Sequence, residues 1–327
     1  MKILITCDHF AVASGRYAYD ALKRMGHDVK SQGLSHGNLI WGKEIDPQYA
    51  WVPDVPEADW KPDLVIHMDP NRKPIRVGNA LHVVYGVDNH VRDYWPDFGW
   101  DHLFLVHKFG NRIGEENVTW LPCGYDPVYF DGGPKLESRT LDAAMIAYMY
   151  DNRASSIYAL RHHLPQLTIA YDTGPVYDEF AAIYRNAKIS LVRSFGKDVA
   201  IRVWETAAMG CLLIMDWCHD AEELGLEHGK NCLVYQTDEE LVQRVKWVMM
   251  NPDDAQKIAN AGKRWARPHT WDARLQVIVD WAAGQGKRKQ IVPTEKPEGS
   301  TGVTRVDEIK RRRDNAKVES GPDGSDS

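Results

Sequence analysis

The chain has 327 residues, a length that predicts about two domains of ordinary size. Hydrophobic residues make up 43% of the chain, charged residues 26%, and the formal net charge is −6, which argues against a strongly basic nucleic-acid-binding module. No apolar run is long enough for a transmembrane helix, and the opening MKILITCDHF lacks the basic flank of a signal peptide.

In the first 128 residues, short apolar runs are followed by helical or loop-forming segments. The sequence KILIT over 2–6 predicts a buried strand, and the apolar spacing over 16–25 predicts a helix that Gly26 ends. Further strands are predicted from residue 28 and over 64–67, 83–86, 102–106 and 119–121. Short buried strands that alternate with helices predict a parallel sheet covered on both faces.

The segment LPCGYDPVYF (121–130) is rich in helix and strand breakers and predicts a hinge, after which the pattern restarts. Predicted strands cover 141–148, 167–171, 188–192, 211–215 and 233–235. Predicted helices cover 154–163, 176–186, 199–209, 238–250 (with Asp238 as N-cap), 255–266 and 270–283. The expected fold is α/β, with two Rossmann-like domains, 1–128 and 129–285, facing a cleft.

Residues 286–327 have a different composition from the rest of the chain. They contain no aromatic residue, few aliphatic ones and many charges, including the basic runs KRK (287–289) and KRRR (310–313). Such a segment cannot bury enough apolar surface to offset its ordering entropy, so we expect a disordered charged tail.

Several common catalytic motifs are missing from the sequence. There is no Walker loop, GxGxxG, GxSxG or HExxH motif, and no two aspartates are separated by one residue, so no DxD motif and no metal site are predicted. The five cysteines show no CxxC spacing, and together with the lack of an export signal they predict reduced thiols and a cytoplasmic protein.

The stretch FGKDVAIRVWETAAMGCLLIMD (195–216) carries the most informative polar residues. Gly196 precedes a helix that we expect Asp198 to open; such a helix start favours phosphate, and Lys197 is expected to bind the donor by adding positive charge beside it. Arg202 and Glu205 share one face of that helix, where they could bind a diphosphate and a ribose. The alternative is that these two side chains simply pair with each other on the surface.

The second half of the chain resembles the GT-B glycosyltransferases, most closely their spore-protein CgeB/YkvP-like branch, which is related to group 1 and family 4. The residues that carry the resemblance are IRVWETAAMGCLLIMD, the segment from AEELGLEHGKNCLVYQTDEEL to HTWDARL, and AYMYDNRASSIYAL. SGRYAYDALKRMGHDV and LPCGYDPVYF resemble the first helix and the interdomain linker of these enzymes more weakly.

The resemblance implies a site for a UDP- or GDP-linked sugar, used as co-substrate without a further cofactor. Glu205 is similar to the glutamate that holds the donor ribose, and Arg153 and Arg202 occupy positions that face the donor phosphates. Glu223 lies in an acidic turn of the donor site, and Gly15 lets the first helix approach the ligand. Lys197 stands where the broader family has a glutamate facing the transferred sugar, so the identity of that sugar is open.

The group that activates the acceptor is expected from the first domain. Candidates are Asp88 and His90 after the strand at 83–86, and His9 with Asp8 after the first strand, because residues at strand ends face the cleft. Lys108 is a further option. Five tryptophans in first-domain loops could stack on an acceptor: Trp41, Trp51, Trp60, Trp95 and Trp100.

The expected function is transfer of a hexosyl or pentosyl group from a nucleotide sugar to an unknown acceptor, with retained anomeric configuration and without a metal. The acceptor could be a glycan, a protein, a small molecule or phage DNA with hydroxymethylated bases. Two alternatives stay open: an isomerase or hydrolase of nucleotide sugars with the same shape, and a non-catalytic protein that only binds them.

Overall fold

The computed structural model describes residues 1–40 and 42–285 of the chain. The predicted tail, 286–327, and Trp41 lie outside the described residues. Within the described ranges, no helix is both long and apolar enough to cross a membrane.

The first half of the chain forms a six-stranded parallel sheet in the order β2-β1-β5-β6-β7-β8. Its strands are β1 (Lys2–Thr6), β2 (Asp28–Gln32), β5 (Leu64–Met68), β6 (Leu81–Gly86), β7 (His102–Leu105) and β8 (Val118–Trp120). Helix α1 (Ser14–Arg24) follows β1, and the short strands β3 (Leu39–Ile40) and β4 (Lys43–Glu44) form an antiparallel pair. Two 3-10 turns cover Pro47–Tyr49 and Pro96–Phe98.

The second half forms a five-stranded parallel sheet in the order β10-β9-β11-β12-β13. Its strands are β9 (Leu141–Ile146), β10 (Ile169–Asp172), β11 (Ala187–Val192), β12 (Leu212–Asp216) and β13 (Leu233–Tyr235). Its helices are α2 (Pro127–Phe130), α3 (Asp151–His163), α4 (Tyr177–Asn186), α5 (Arg202–Ala208), α6 (Asp238–Met250), α7 (Pro252–Ala266) and α8 (Trp271–Gly284), with a 3-10 turn at Leu136–Ser138.

The two parallel sheets confirm the predicted α/β fold class. Strands β5 and β12 are buried at every position, as expected for sheets covered on both faces. Gly26 follows the end of α1 with φ +83°, a left-handed conformation that suits the residue after a helix C-cap. The division of the chain at residue 128 stays a prediction.

Two details of the predicted helix starts are wrong. Helix α5 begins at Arg202, so Asp198 does not open it; the Asp198 carboxylate instead accepts a hydrogen bond from the Gly196 N–H at 3.0 Å. The N-cap of α6 is Thr237, whose hydroxyl oxygen accepts from the Glu240 N–H at 3.2 Å. The Asp238 carboxylate is already engaged by other groups, including the Ser156 hydroxyl at 2.8 Å.

Helix α8 returns from the second half of the chain to cover the first sheet. The ring of Trp271 stacks on Tyr17 of α1 with centroids 6.1 Å apart, and Trp281 lies 4.8 Å from the ring of His102 on β7. Arg24 of α1 donates to the Asp272 carboxylate at 2.8 Å. The last described helix is therefore part of the packing of the first sheet.

A buried arginine donates hydrogen bonds to several backbone carbonyls beside the second sheet. Arg139 is 3% exposed, and its guanidinium donates hydrogen bonds of 2.7 to 3.1 Å to the backbone carbonyls of Pro134, Tyr184, Ala187 and Met209. Three of these carbonyls lie near the ends of α4 and α5 and at the start of β11, and that of Pro134 lies in the loop before the 3-10 turn at Leu136–Ser138. Without the guanidinium, buried acceptors would lose their donors, and each such loss costs roughly 1–3 kcal/mol.

We therefore expect Arg139→Met to lower the free energy of unfolding by at least about 3 kcal/mol, because several buried carbonyls lose their donors together. Urea denaturation followed by circular dichroism measures this change. Arg161→Met, on the exposed surface of α3, removes the same group and should change stability by less than about 0.5 kcal/mol. Equal stability of the two variants would contradict the role of Arg139.

Candidate functional site

A cavity of about 520 Å³ lies at the carboxyl ends of the strands of both sheets. Its walls come from the loops after β1, β5, β6 and β7 of the first sheet and after β9, β10 and β11 of the second, together with α5. We call it the central cavity. Open parallel sheets bind ligands at this edge, because there the loops converge and the strands end.

Two arginines from the second half line the central cavity without a carboxylate partner. The Nε and Nη1 atoms of Arg202, at the start of α5, are buried and make no hydrogen bond to any described residue. Arg153, in the first turn of α3, donates only to backbone carbonyls, from Nε to Arg193 at 2.9 Å and from Nη1 to Tyr148 at 2.8 Å. Neither guanidinium has an ion-pair partner within the described part of the chain, so neither charge is held in a salt bridge.

These two guanidinium groups are close enough to affect each other. Burial, and then the charge of Arg202, lower the pKa of Arg153 to about 10. Holding two positive charges together in a partly buried wall is unfavourable unless an anion joins them. The arrangement therefore suits a ligand that carries more than one negative charge, such as a diphosphate.

Glu205 lies one helical turn after Arg202 and is 5% exposed. Burial raises the pKa of Glu205 to about 7, although the charge of Arg202 and the Tyr17 hydroxyl act in the opposite direction. The two side chains do not form an ion pair, and Glu205 is not on the surface. The alternative in which Arg202 and Glu205 pair on an exposed face is therefore wrong.

The loop between β11 and α5 turns Lys197 away from the cavity and Asp198 into it. Lys197 has φ +63°, and its ammonium group lies 3.3 Å from the buried carboxylate of Asp216. Asp216 also accepts hydrogen bonds from Ser194, from N–H at 2.8 Å and from Oγ at 2.7 Å. Asp198 is among the residues that line the cavity, and Lys197 is not.

Asp88 and His90 reach the cavity from the first half, as predicted from their position after β6. Burial and the neighbouring carboxylate of Asp69 raise the pKa of Asp88, while Arg92, 3.5 Å away, opposes them. Burial lowers the pKa of His90, whose Nδ1 atom is buried without a partner among the described residues. A carboxyl group that titrates closer to neutrality than usual suits proton transfer.

Three other predicted residues do not line the cavity. His9 is fully buried, and its Nδ1–H donates to the Cys7 carbonyl at 3.0 Å. Gly15 makes room for Cys7, because a Cβ at Gly15 would lie 2.4 Å from Cys7 Sγ. Glu223 pairs with Lys108 at 3.1 Å across the two halves of the chain.

The predicted acceptor-stacking tryptophans lie elsewhere in the structure. Trp51 and Trp100 are buried, and Trp60 donates from Nε1 to the Asp28 carboxylate at 2.9 Å. None of these, nor Trp95, is in the cavity wall. Asp8, considered with His9, accepts from the Asn71 amide at 3.0 Å and is also outside the wall.

Several wall residues were missed by the sequence argument. Asp69 directly follows β5, so the strand-end rule applied to Asp88 would have found it. Asp198 could not be found by this rule, because we expected it at the start of α5 and not in a loop that lines the cavity. Across the described residues, no group of three His, Cys, Asp or Glu side chains is arranged to hold a metal ion.

Residues 161–280 match the family model described as Glycosyl transferase-like. No curated protein matches the chain by sequence.

Solved glycosyltransferase structures share the overall fold. Sucrose-phosphate synthase from Thermosynechococcus elongatus superposes with a TM-score of 0.61 at 10% identity, over 87% of this chain and 99% of that chain. An α-glucosyltransferase in complex with UDP-glucose and DNA containing an abasic site superposes with a TM-score of 0.62 at 9% identity, over 86% of this chain and 99% of that chain. Anabaena HepE in complex with UDP-glucose superposes with a TM-score of 0.56 at 9% identity, over 87% of this chain and 100% of that chain. The chain thus has the fold of the GT-B glycosyltransferases, and its residues 161–280 match a glycosyl transferase-like family.

Proposed function

We propose that this protein is a glycosyltransferase that moves a sugar from a UDP- or GDP-linked donor to an acceptor. The observation that carries the proposal is the pair Arg153 and Arg202, two cations without a carboxylate partner in a cavity at the carboxyl ends of both sheets. The match of residues 161–280 to glycosyl transferases, and the UDP-glucose bound in structures of the same fold, support it.

The donor is proposed to lie along the wall formed by the second half. Its diphosphate binds Arg153 and Arg202, and the unsatisfied Nε and Nη1 atoms of Arg202 supply charge-assisted hydrogen bonds. Its ribose hydroxyls donate to Glu205, one helical turn further along α5. As the bond between sugar and phosphate breaks, the same guanidinium groups stabilise the charge that develops on the leaving diphosphate.

The acceptor is proposed to enter from the side of the first half. Asp88 takes the proton of the attacking hydroxyl group, and His90 orients that group, because both line the same cavity as the arginines. Related enzymes have a glutamate beside the transferred sugar at the position of Lys197, which here pairs with Asp216 instead. The neighbouring Asp198 lines the cavity and is proposed to supply that carboxylate.

Finer parts of the proposal rest on sequence resemblance. They are membership of the CgeB/YkvP-like branch, retention of the anomeric configuration and transfer of a hexose or pentose. Charge neutralisation by arginines rather than by a metal rests on the lack of a DxD motif. A cytoplasmic location is also part of the proposal, and the five free cysteines support it. Donor cleavage without any acceptor would favour the isomerase or hydrolase alternative, and donor binding without turnover would favour a binding protein.

Replacing either cavity arginine should weaken nucleoside diphosphate binding. We expect Arg202→Met or Arg153→Met to raise the dissociation constant for UDP or GDP about 10- to 100-fold, because each loses charged hydrogen bonds worth roughly 1.5–3 kcal/mol. Isothermal titration calorimetry measures the change. Uridine or guanosine, which lacks phosphate, should bind the variants and the wild type alike.

The matched control is Arg161→Met, which removes an exposed arginine of α3 outside the cavity. It should leave UDP and GDP binding unchanged. The donor site would be misplaced if the two cavity variants bound diphosphates as tightly as this control.

Glu205→Gln should stabilise the protein while weakening donor binding. In the folded protein the pKa of Glu205 is raised from 4.5 to about 7, so its ionisation opposes folding; the cost is absent below pH 4.5, grows up to pH 7 and is complete above it. We expect the variant to gain about 3 kcal/mol of unfolding free energy at pH 8 and little at pH 5.

Chemical denaturation at both pH values, with and without UDP or GDP, provides the measurement. Glu222→Gln, which removes the same charge from an exposed position, should show no pH-dependent gain. A Glu205 variant that is less stable than the wild type at pH 8 would show that the carboxylate holds the fold rather than a ligand.

A further inference from the structure

Three exposed aromatic side chains stand together at the mouth of the central cavity. Tyr148, Tyr150 and Phe195 are 40%, 38% and 65% exposed, and all three line the cavity. The ring centroids of Tyr148 and Tyr150 are 4.9 Å apart, and those of Tyr150 and Phe195 are 4.7 Å apart. We call these three side chains the aromatic platform.

The platform is held in place by the same contacts that build the donor site. Tyr148 and Tyr150 follow β9, and the Arg153 guanidinium lies 5.1 Å from the centre of the Tyr150 ring. The Tyr148 carbonyl accepts from Arg153 Nη1 at 2.8 Å. A contiguous apolar surface that stays open in a cavity, instead of packing into the core, is typical of a binding surface.

Arg153 connects the platform with the proposed diphosphate site. Its guanidinium lies 5.1 Å from the centre of the Tyr150 ring, and the charge of Arg202 acts on its pKa. The platform is therefore next to the diphosphate site, where a sugar-ring acceptor would meet the donor.

The platform also adjoins the proton-transfer groups of the first half. A Cβ added at Gly196, the residue after Phe195, would lie 3.1 Å from Cδ2 of His90. A molecule resting on Phe195 can thus place a hydroxyl group near His90 and Asp88, which line the same cavity.

The charges near the platform restrict the chemistry of its occupant. Asp69, Asp88 and Asp198 line the same cavity, and the proposed diphosphate of the donor occupies the cation nearest the platform, Arg153. With Arg153 occupied, the remaining carboxylates disfavour a phosphorylated or nucleic-acid acceptor. Carboxylates accept hydrogen bonds from hydroxyl groups, and aromatic rings pack against the C–H groups on one face of a sugar ring. Rings and carboxylates together match a neutral, hydroxyl-rich ring compound.

We propose that the aromatic platform and Asp88 form an acceptor subsite for a neutral carbohydrate. This inference rests on the proposed glycosyltransferase function and names its acceptor class. In the reaction, the bond from the anomeric carbon to the phosphate oxygen breaks and its electron pair leaves with the diphosphate. The acceptor oxygen forms the new bond to the anomeric carbon, and its proton passes to the Asp88 carboxylate.

Saccharide binding to the full chain, saturated with UDP or GDP, tests the subsite. The probes are four neutral trisaccharides (maltotriose, cellotriose, xylotriose and chitotriose) and a DNA oligonucleotide. Saturation-transfer NMR detects their binding. We expect at least one trisaccharide to bind with saturation of its ring C–H protons. Phe195→Ala should weaken that binding about tenfold, as loss of one aromatic contact implies, while Phe195→Trp should retain it.

The controls separate this inference from the proposed function. Tyr158→Ala removes an aromatic side chain that is 71% exposed on α3, outside the cavity wall, and should change nothing. Diphosphate binding should be the same in Phe195→Ala and the wild type. The inference is overturned if Phe195→Ala weakens diphosphate binding, if the oligonucleotide binds in place of the saccharides, or if no trisaccharide binds to protein that binds the diphosphate.

Discussion

Strands that all run in one direction leave their carboxyl ends at one edge of a sheet, and here the two sheets turn those edges towards the same cavity. Almost every feature of the site follows from this constraint. Loops that are distant in sequence, such as those after β6 and β11, meet across a gap, and each can carry a different kind of side chain. The scaffold fixes where chemistry happens, and the loop residues decide which chemistry it is.

The side chains of the cavity are divided by charge. The cations of the wall, Arg153 and Arg202, both come from the second half, where neither forms an ion pair, whereas the first half contributes only carboxylates, Asp69 and Asp88, to the charged residues of the wall. A polar ligand that is anionic at one end and hydroxylated at the other fits this division. Both walls hold their charges partly out of water, which strengthens interactions with a bound ligand and makes the empty site costly to maintain.

Strand and helix positions could be predicted because burial on both faces leaves continuous apolar runs, as in β5 and β12. Asp88, Arg202 and Glu205 were placed at the cavity because each is tied to a strand end or a helix face. The position of His9 after β1 also predicted that it faces the cavity. A position after a strand does not determine the direction of a side chain, and His9 is buried with a hydrogen bond to the Cys7 carbonyl. Lys197 was expected at the donor and Asp198 at the helix start, but Lys197, in a left-handed conformation, pairs with Asp216, and Asp198 lines the cavity.

The return of α8 to the first sheet ties two distant parts of the chain together. Trp271 and Trp281 complete the packing around Tyr17 and His102, although both tryptophans are synthesised long after β8. During translation, the first sheet therefore emerges without the cover that α8 gives to Tyr17 and His102, and lacks it while the second half is made. The native packing of the first sheet is complete only after the last described helix has been made and has docked.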